Sequence, residues 1–366
     1  MRVYQLLNKN RLIGSFTVDG INEMEFISSV DIDKNRMPPW VINFEHFIEK
    51  RRAPLHREHI KRLLDTCGCN TLTGFLDVSH ALSLNDTFWI RSENQKHLTW
   101  DNVSLYKNKF NSAIAKMAFT GGMYGYEFST TSPEYGTNGT FAKCWVRENG
   151  VIKLIKRGSS GAFNAGLEPY SEFYSSQLLE ALGIKHVEYG LTSKEGRLAS
   201  KCDLFTSEKY GLVPFMDIDN NRSLGGVVNF YINHGLKEWI SEMFVADAIM
   251  FNEDRHLGNF GFLFDNDTYK ITGTAPLYDH NISLLCYAIQ EDFIDIDKYM
   301  KTNNKGHRLG GDFVNVAKQV MTPSISRKLI NLHGFKFKRH SRYNLPEWRL
   351  EALNRAVNKQ IEKILS

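Results

Sequence analysis

The spacing of apolar positions changes along this chain, and the changes divide it. Near the end, Leu350, Leu353, Val357, Ile361 and Ile364 recur three or four residues apart, the single apolar face of a helix over about 346–365. Leu236 to Met250 is apolar nearly throughout, as expected for a helix buried on all sides. A third helix is predicted from about Pro169 to Leu182, with Pro169 in its first turn and Gly183 at its stop. Upstream, Thr140–Val146 and Val151–Lys156 are rich in β-branched and aromatic residues, and Asn149-Gly150 between them signals a hairpin turn. Val187 to Phe215 is again strand-rich. The first hundred or so residues read as mixed α/β: helical material around a break at Pro54, a short strand at Asp86–Arg91, and a short helix over Lys109–Ala118. A strand-rich part followed by a larger helical part is the expectation.

At 366 residues the chain exceeds one average domain, and the pattern suggests divisions at 1–112, 113–215 and 216–366. No apolar run approaches the roughly 20 residues needed to cross a bilayer, so no membrane partner is expected. The N-terminus lacks the basic start and apolar stretch of a signal peptide, which makes the cytoplasm the expected compartment. Five cysteines without framework spacing read as reduced thiols rather than a zinc site. A formal net charge of +4 is too small to imply direct nucleic-acid binding. The charge is uneven, however. From Pro323 to Pro346 there is no acidic residue, yet Arg327, Lys328, Lys336, Lys338, Arg339 and Arg342 all occur there, as a solvated face or as a surface for an acidic partner.

Chemistry concentrates just after the long apolar segment, in Asn252-Glu-Asp254-Arg-His256-Leu-Gly-Asn259. Phosphoryl transfer from ATP needs a carboxylate to orient the attacking hydroxyl and oxygen ligands for magnesium. An Asp followed five residues later by an Asn meets both needs, with the spacing of protein-kinase catalytic loops. Twenty residues further lies Tyr278-Asp279-His280-Asn281, where Asp279 is placed to chelate the magnesium that bridges the phosphates. Upstream, such a site needs a strand lysine for the phosphates and a helix carboxylate to hold it. Lys153, flanked by Ile152 and Leu154, and Glu172 on the following helix are the favoured pair. Lys156, on the opposite strand face, is the rival. The segment Gly136-Thr137-Asn138-Gly139-Thr140 precedes the first hairpin strand and is the candidate phosphate-covering loop, although a plain turn fits it nearly as well. His256 is read as holding the loop by hydrogen bonding, because Asp254 already supplies the base.

Taken in order, these motifs resemble the HipA-like serine/threonine kinases, above all the compact cell-translocating (CtkA-like) type, over about 131–289. The resemblance implies a bilobal α+β protein-kinase-like fold with a strand-rich N-lobe and a helical C-lobe. It implies ATP and Mg²⁺ as cofactors and a protein hydroxyl as acceptor. Carried over residue by residue, Asp254 is the catalytic base, Asn259 and Asp279 bind magnesium, Lys153 binds ATP and Glu172 supports the lysine. HipA-like kinases also bring the expectation of self-phosphorylation near Ser129–Ser132, and of a small cognate antitoxin-like protein. A lipid or small-molecule kinase, and a pseudokinase binding module, are the alternative readings. Two departures are visible. Asp279 is followed by His280-Asn281 rather than Phe-Gly, and the loop at Gly136 lacks a regular glycine pattern.

Overall fold

A computed structural model describes residues 1–21, 24–122 and 130–366. The chain begins with β1 (Arg2–Asn8), β2 (Arg11–Ile21) and β3 (Met24–Ile32), then short helices α1 (Phe44–Glu49), α2 (Ile60–Thr66) and α3 (Leu72–Ser79). β4 (Phe88–Ser92), α4 (Trp100–Val103) and α5 (Ser112–Thr120) lead to the hairpin β5 (Lys143–Glu148) and β6 (Val151–Arg157). Helix α6 (Glu168–Ala181) is followed by β7 (Tyr189–Lys194), β8 (Arg197–Asp203) and β9 (Tyr210–Pro214). Helices α7 (Phe215–Ile218), α8 (Leu224–Asn233) and α9 (Lys237–Met250) precede β10 (Gly261–Asp265) and β11 (Ile271–Thr274). The rest is helical: α10 (Ile296–Thr302), α11 (Phe313–Val320), α12 (Pro323–Leu332) and α13 (Glu347–Leu365).

Two compact units result, and neither is one continuous stretch. The first comprises 1–156, 203–213 and 262–273; the second comprises 157–202, 214–261 and 274–366.

In the first unit a four-stranded antiparallel sheet runs β3-β2-β1-β4. Its inner face carries Tyr4, Leu6, Phe16 and Val18, buried against Ile48, Leu63, Phe75 and Ile114 from the surrounding helices. The β1–β3 meander is absent from the sequence reading, because Gly, Ser and Asp interrupt its alternation. The β5–β6 hairpin forms as its Asn-Gly turn predicts, with Lys143 opposite Lys156 and Trp145 opposite Leu154. Arg57 fastens the chain entering this hairpin. Its guanidinium pairs with buried Glu134 at 3.0 Å and also donates to the Thr137 and Lys143 carbonyls.

In the second unit α9 is the central helix. From Ile240 onward nearly every residue is buried, and α8, α11, α12 and α13 pack around it. Burial on all sides explains why its sequence has no polar face. Helix α13 lays Leu350, Leu353, Val357, Ile361 and Ile364 into this core, the stripe its spacing predicts. All five cysteines, across both units, are buried free thiols.

Candidate active site

Helix α9 ends in a sharp reversal at Phe251, whose φ of 54° is left-handed and whose N–H donates to the Ala248 and Asp247 carbonyls. The loop that follows is held from inside. The Asp254 N–H donates to Asn252 Oδ1 at 3.1 Å, Asn259 Nδ2 donates to the Asp254 carbonyl at 3.1 Å, and the Gly258 N–H donates to His256 Nδ1 at 3.1 Å. His256 thus does what was expected of it, as a brace within the loop.

The organiser is Arg255. It is fully buried, and its Nε and Nη2 donate to the two oxygens of Asp247 on α9, each at 2.9 Å. Nη1 donates to the carbonyls of Asn259 at 2.9 Å and Tyr278 at 2.7 Å, and Nη2 also meets His280 Nδ1 at 3.0 Å. One guanidinium therefore joins helix α9, the loop 252–259 and the Asp279 segment. The bidentate geometry and full complement of acceptors are what make a buried ion pair tolerable. Burial alone would raise the Asp247 carboxyl, but Arg255 and then His307 outweigh it and hold the carboxyl well below its usual range.

Asp279 itself has a left-handed φ of 58°. Asp is among the few side chains that tolerate this conformation, and its N–H is secured on the Tyr189 hydroxyl at 3.1 Å. The Asp254 carboxyl is raised above its ordinary value, first by burial and then by the nearby Asp279 charge, with His256 opposing. The two carboxylates are thus in electrostatic reach, an arrangement that favours a cation between them. Asn259 is buried, and with its amide nitrogen committed to the Asp254 carbonyl it has its oxygen left to offer. The Asp279 carboxylate and the Asn259 amide oxygen are of the type that suits Mg²⁺, which takes few protein ligands and keeps water and phosphate oxygens. Among the described residues no cluster of three or more His, Cys, Asp or Glu forms a denser metal site.

Glu172 is fully buried on α6, where Ser200 Oγ donates to its Oε2. The Tyr189 phenol is held well above its usual range, first by burial and then by the Glu172, Cys202 and Asp279 charges. Glu172 and Asp279 thus flank one tyrosine.

Comparison with known proteins bears on this arrangement. No family model matches the chain. The serine/threonine-protein kinase CtkA of Helicobacter pylori is 30% identical over 128 residues, covering 30% of this chain and 38% of that protein. The crystal structure of the H. pylori proinflammatory kinase CtkA matches with a TM-score of 0.50 at 21% identity, over 64% of this chain and 92% of that one. HipA of Shewanella oneidensis MR-1, solved with HipB and operator DNA as a toxin–antitoxin system, gives 0.53 at 11% identity, over 99% of this chain and 97% of that one.

The fold is HipA-like. The resemblance read from the motifs is borne out, although the chain aligns with only 38% of the length of its curated relative.

Within the HipA-like fold the first unit holds the other expected residues. The loop 136–140 is folded over one face of the β5–β6 hairpin. Lys143 Nζ donates to the Asn138 carbonyl at 2.7 Å, and Trp145 Nε1 donates to Thr137 Oγ1 at 2.8 Å. The backbone at Gly139 favours glycine. Its φ is 98°, and a Cβ at this position would sit 2.1 Å from Lys143 Nζ.

The strand lysines part company. Lys153 is partly exposed and its ammonium pairs with the exposed carboxylate of Asp203. Lys156 is buried, directly across from Lys143, on the same hairpin face as Trp145. The favoured lysine of the sequence reading thus points away from the loop, and its rival lies on the loop's face. In a strand, immediate neighbours point to opposite faces, so Ile152 and Leu154 lie on the face of Lys156 and turn Lys153 to the other side.

Sequence reasoning missed Asp247, Arg57 and Lys143. Asp247 carried a signal, as the one carboxylate in the C-terminal half of an otherwise apolar helix. Of Ser129–Ser132, residue 129 lies outside the described residues. Ser132 is buried and caps the turn Pro133–Tyr135, whereas Thr130 is exposed.

Proposed function

We propose that this chain is an ATP- and magnesium-dependent serine/threonine protein kinase. The observation that carries the reading is the Arg255 junction, which fixes Asp254, Asn259 and the Asp279 segment in one rigid frame. Phosphoryl transfer asks the protein mainly for positioning and electrostatics, and a frame of this kind provides both. In this reading Asp254 accepts the proton of the attacking hydroxyl. Its raised carboxyl is better matched to that task than an ordinary aspartate. Asn259 and Asp279 hold Mg²⁺, which when bound neutralises charge on the phosphates. We assign the nucleotide lysine to Lys156 in place of Lys153, because Lys156 shares a face with the loop 136–140. Glu172 keeps its supporting role, and Gly136, Thr137, Asn138, Gly139 and Thr140 present backbone donors to phosphate.

The acceptor is a protein hydroxyl, as the name of the H. pylori relative suggests. The HipA neighbour was solved with HipB as a toxin–antitoxin system, which supports a small cognate regulator here as well. Self-phosphorylation on this segment has Thr130, which is exposed, and Thr131, which is half-buried, as its described accessible hydroxyls, since Ser132 is enclosed. No helix among the described residues is long and apolar enough to cross a membrane. The test is incubation of the purified chain with radiolabelled ATP, Mg²⁺ and a bacterial lysate. Label in phosphoserine or phosphothreonine of specific proteins is expected, and label confined to lipid or to free phosphate contradicts the reading.

A further inference from the structure

Helix α6 is unusual in what it buries. Glu168, Ser171, Glu172, Ser175 and Ser176 lie inward together with Tyr174, Leu178 and Leu179. Directional bonds hold the polar members: Tyr287 donates to Glu168, Ser200 to Glu172, and Ser171 to the Ser283 carbonyl. A second set of contacts comes from residues 337–344. Gln177 exchanges two hydrogen bonds with the backbone of Lys338, donating through Nε2 at 3.0 Å and accepting at Oε1 at 2.8 Å. Tyr170 donates its hydroxyl to the Asn344 carbonyl at 3.2 Å, and Tyr174 meets Phe337 edge-on with ring centroids 5.2 Å apart. The helix that carries Glu172 is therefore gripped from outside by residues 337–344.

That gripping segment is the acid-free basic stretch. Lys336, Lys338, Arg339 and Arg342 are all exposed, and none forms an ion pair among the described residues. The segment is nevertheless preformed: His340 Nδ1 accepts from the Arg342 and Tyr343 N–H groups, and Asn344 Nδ2 donates to the His340 carbonyl. Four cations held on an ordered loop keep their charge toward solvent at little further entropic cost on binding.

We propose that residues 335–345 are a docking site for an acidic protein segment, and that occupation of this site steadies α6 and thereby Glu172. The proposal rests on the kinase reading only for the role of Glu172. The occupant follows from the chemistry of the loop. Between 331 and 346 no large apolar side chain is exposed, so a membrane has nothing to receive. The stretch 333–346 contains no helix or strand to read base edges in a duplex groove, which leaves only phosphate contact for a nucleic acid. An extended carboxylate-rich peptide matches both the charge and the irregular backbone.

The experiment uses the full chain and a fluorescent poly-glutamate peptide, with amide hydrogen exchange followed over residues 168–181. The expected result is saturable binding that slows exchange in α6. Combining Lys336→Ala, Lys338→Ala, Arg339→Ala and Arg342→Ala should weaken binding about tenfold or more, since four exposed ion pairs are removed. All four side chains are exposed, so the variant should fold. Gln177→Ala should leave binding nearly intact while reducing the response of α6, because the Tyr170–Asn344 and Tyr174–Phe337 contacts remain. Absence of peptide binding, equal binding by the fourfold variant, or binding without any change in α6 each overturns the proposal. So does capture of duplex DNA or anionic vesicles, but not the peptide, through the same four cations. Neither readout needs phosphoryl transfer, so failure here leaves the kinase reading standing, and an inactive chain could still pass.

Discussion

Asp247 and Arg255 form a two-point ion pair with no solvent contact, eight residues apart, one on a core helix and the other on the loop that carries the candidate base. Replacing Asp247 leaves a buried guanidinium uncompensated, which typically costs about 3–5 kcal/mol. Asp247→Asn should therefore lower the unfolding midpoint in denaturant and abolish transfer together. Replacing both partners by apolar residues should restore much of the stability and none of the activity. A double variant that is active would show that Arg255 does not align the loop.

The lysine assignment separates cleanly. Lys156→Ala should weaken ATP binding by about 1.5–3 kcal/mol, the usual worth of a charged hydrogen bond. Lys153→Ala breaks a partly exposed ion pair worth at most about 1 kcal/mol and should bind ATP as wild type does. Calorimetric titration with ATP decides it. The reverse order would return the role to Lys153.

Gly139→Ala tests the loop. Both the positive φ and the approach to Lys143 Nζ oppose a methyl group, with backbone strain of about 1–2 kcal/mol. We expect KM for ATP to rise with a smaller effect on kcat. Gly150→Ala, also at positive φ but with open space around it, is the control. It should change stability and leave KM unaltered.

His280 gives a pH signature. Burial, with Arg255 adding, lowers its pKa to about 3 against an ordinary 6.5, so the unfolded state binds one proton more than the folded state between those values. Stability must therefore fall as pH drops from about 6.5 towards 3, at up to about 1.4 kcal/mol per pH unit. His80, lowered to about 4 by burial, acts in the same direction in the other unit. His280→Asn should remove one proton's worth of slope. An unchanged slope would mean that His280 is protonated in the fold.

How far the sequence could be read follows from what each signal depends on. Helices α6, α9 and α13 and the β5–β6 hairpin were legible because burial periodicity, a proline start and an Asn-Gly turn are local. Asp254, Asn259 and Asp279 could be nominated from sequence because one loop and one short segment carry their spacing; their roles remain proposals. The β1–β3 meander was not legible, since its partners are set by pairing across the sheet. Neither was the face of the hairpin that the loop 136–140 covers, which decides between Lys153 and Lys156 and is set by contacts of Asn138 and Thr137 with Lys143 and Trp145. Arg57 was beyond reach: its value comes from Glu134, Thr137 and Lys143, some eighty residues away.

The account stands on Asp254 as the group that takes the proton. Asp254→Asn keeps the shape of the side chain and removes its basicity, so the most direct measurement is single-turnover phosphoryl transfer alongside ATP–Mg²⁺ affinity on the same preparation. We predict affinity close to wild type and a rate lower by about 10² to 10⁴, the range for a positioned acid–base group. A folded Asp254→Asn protein that retains more than half of the wild-type rate would contradict the account.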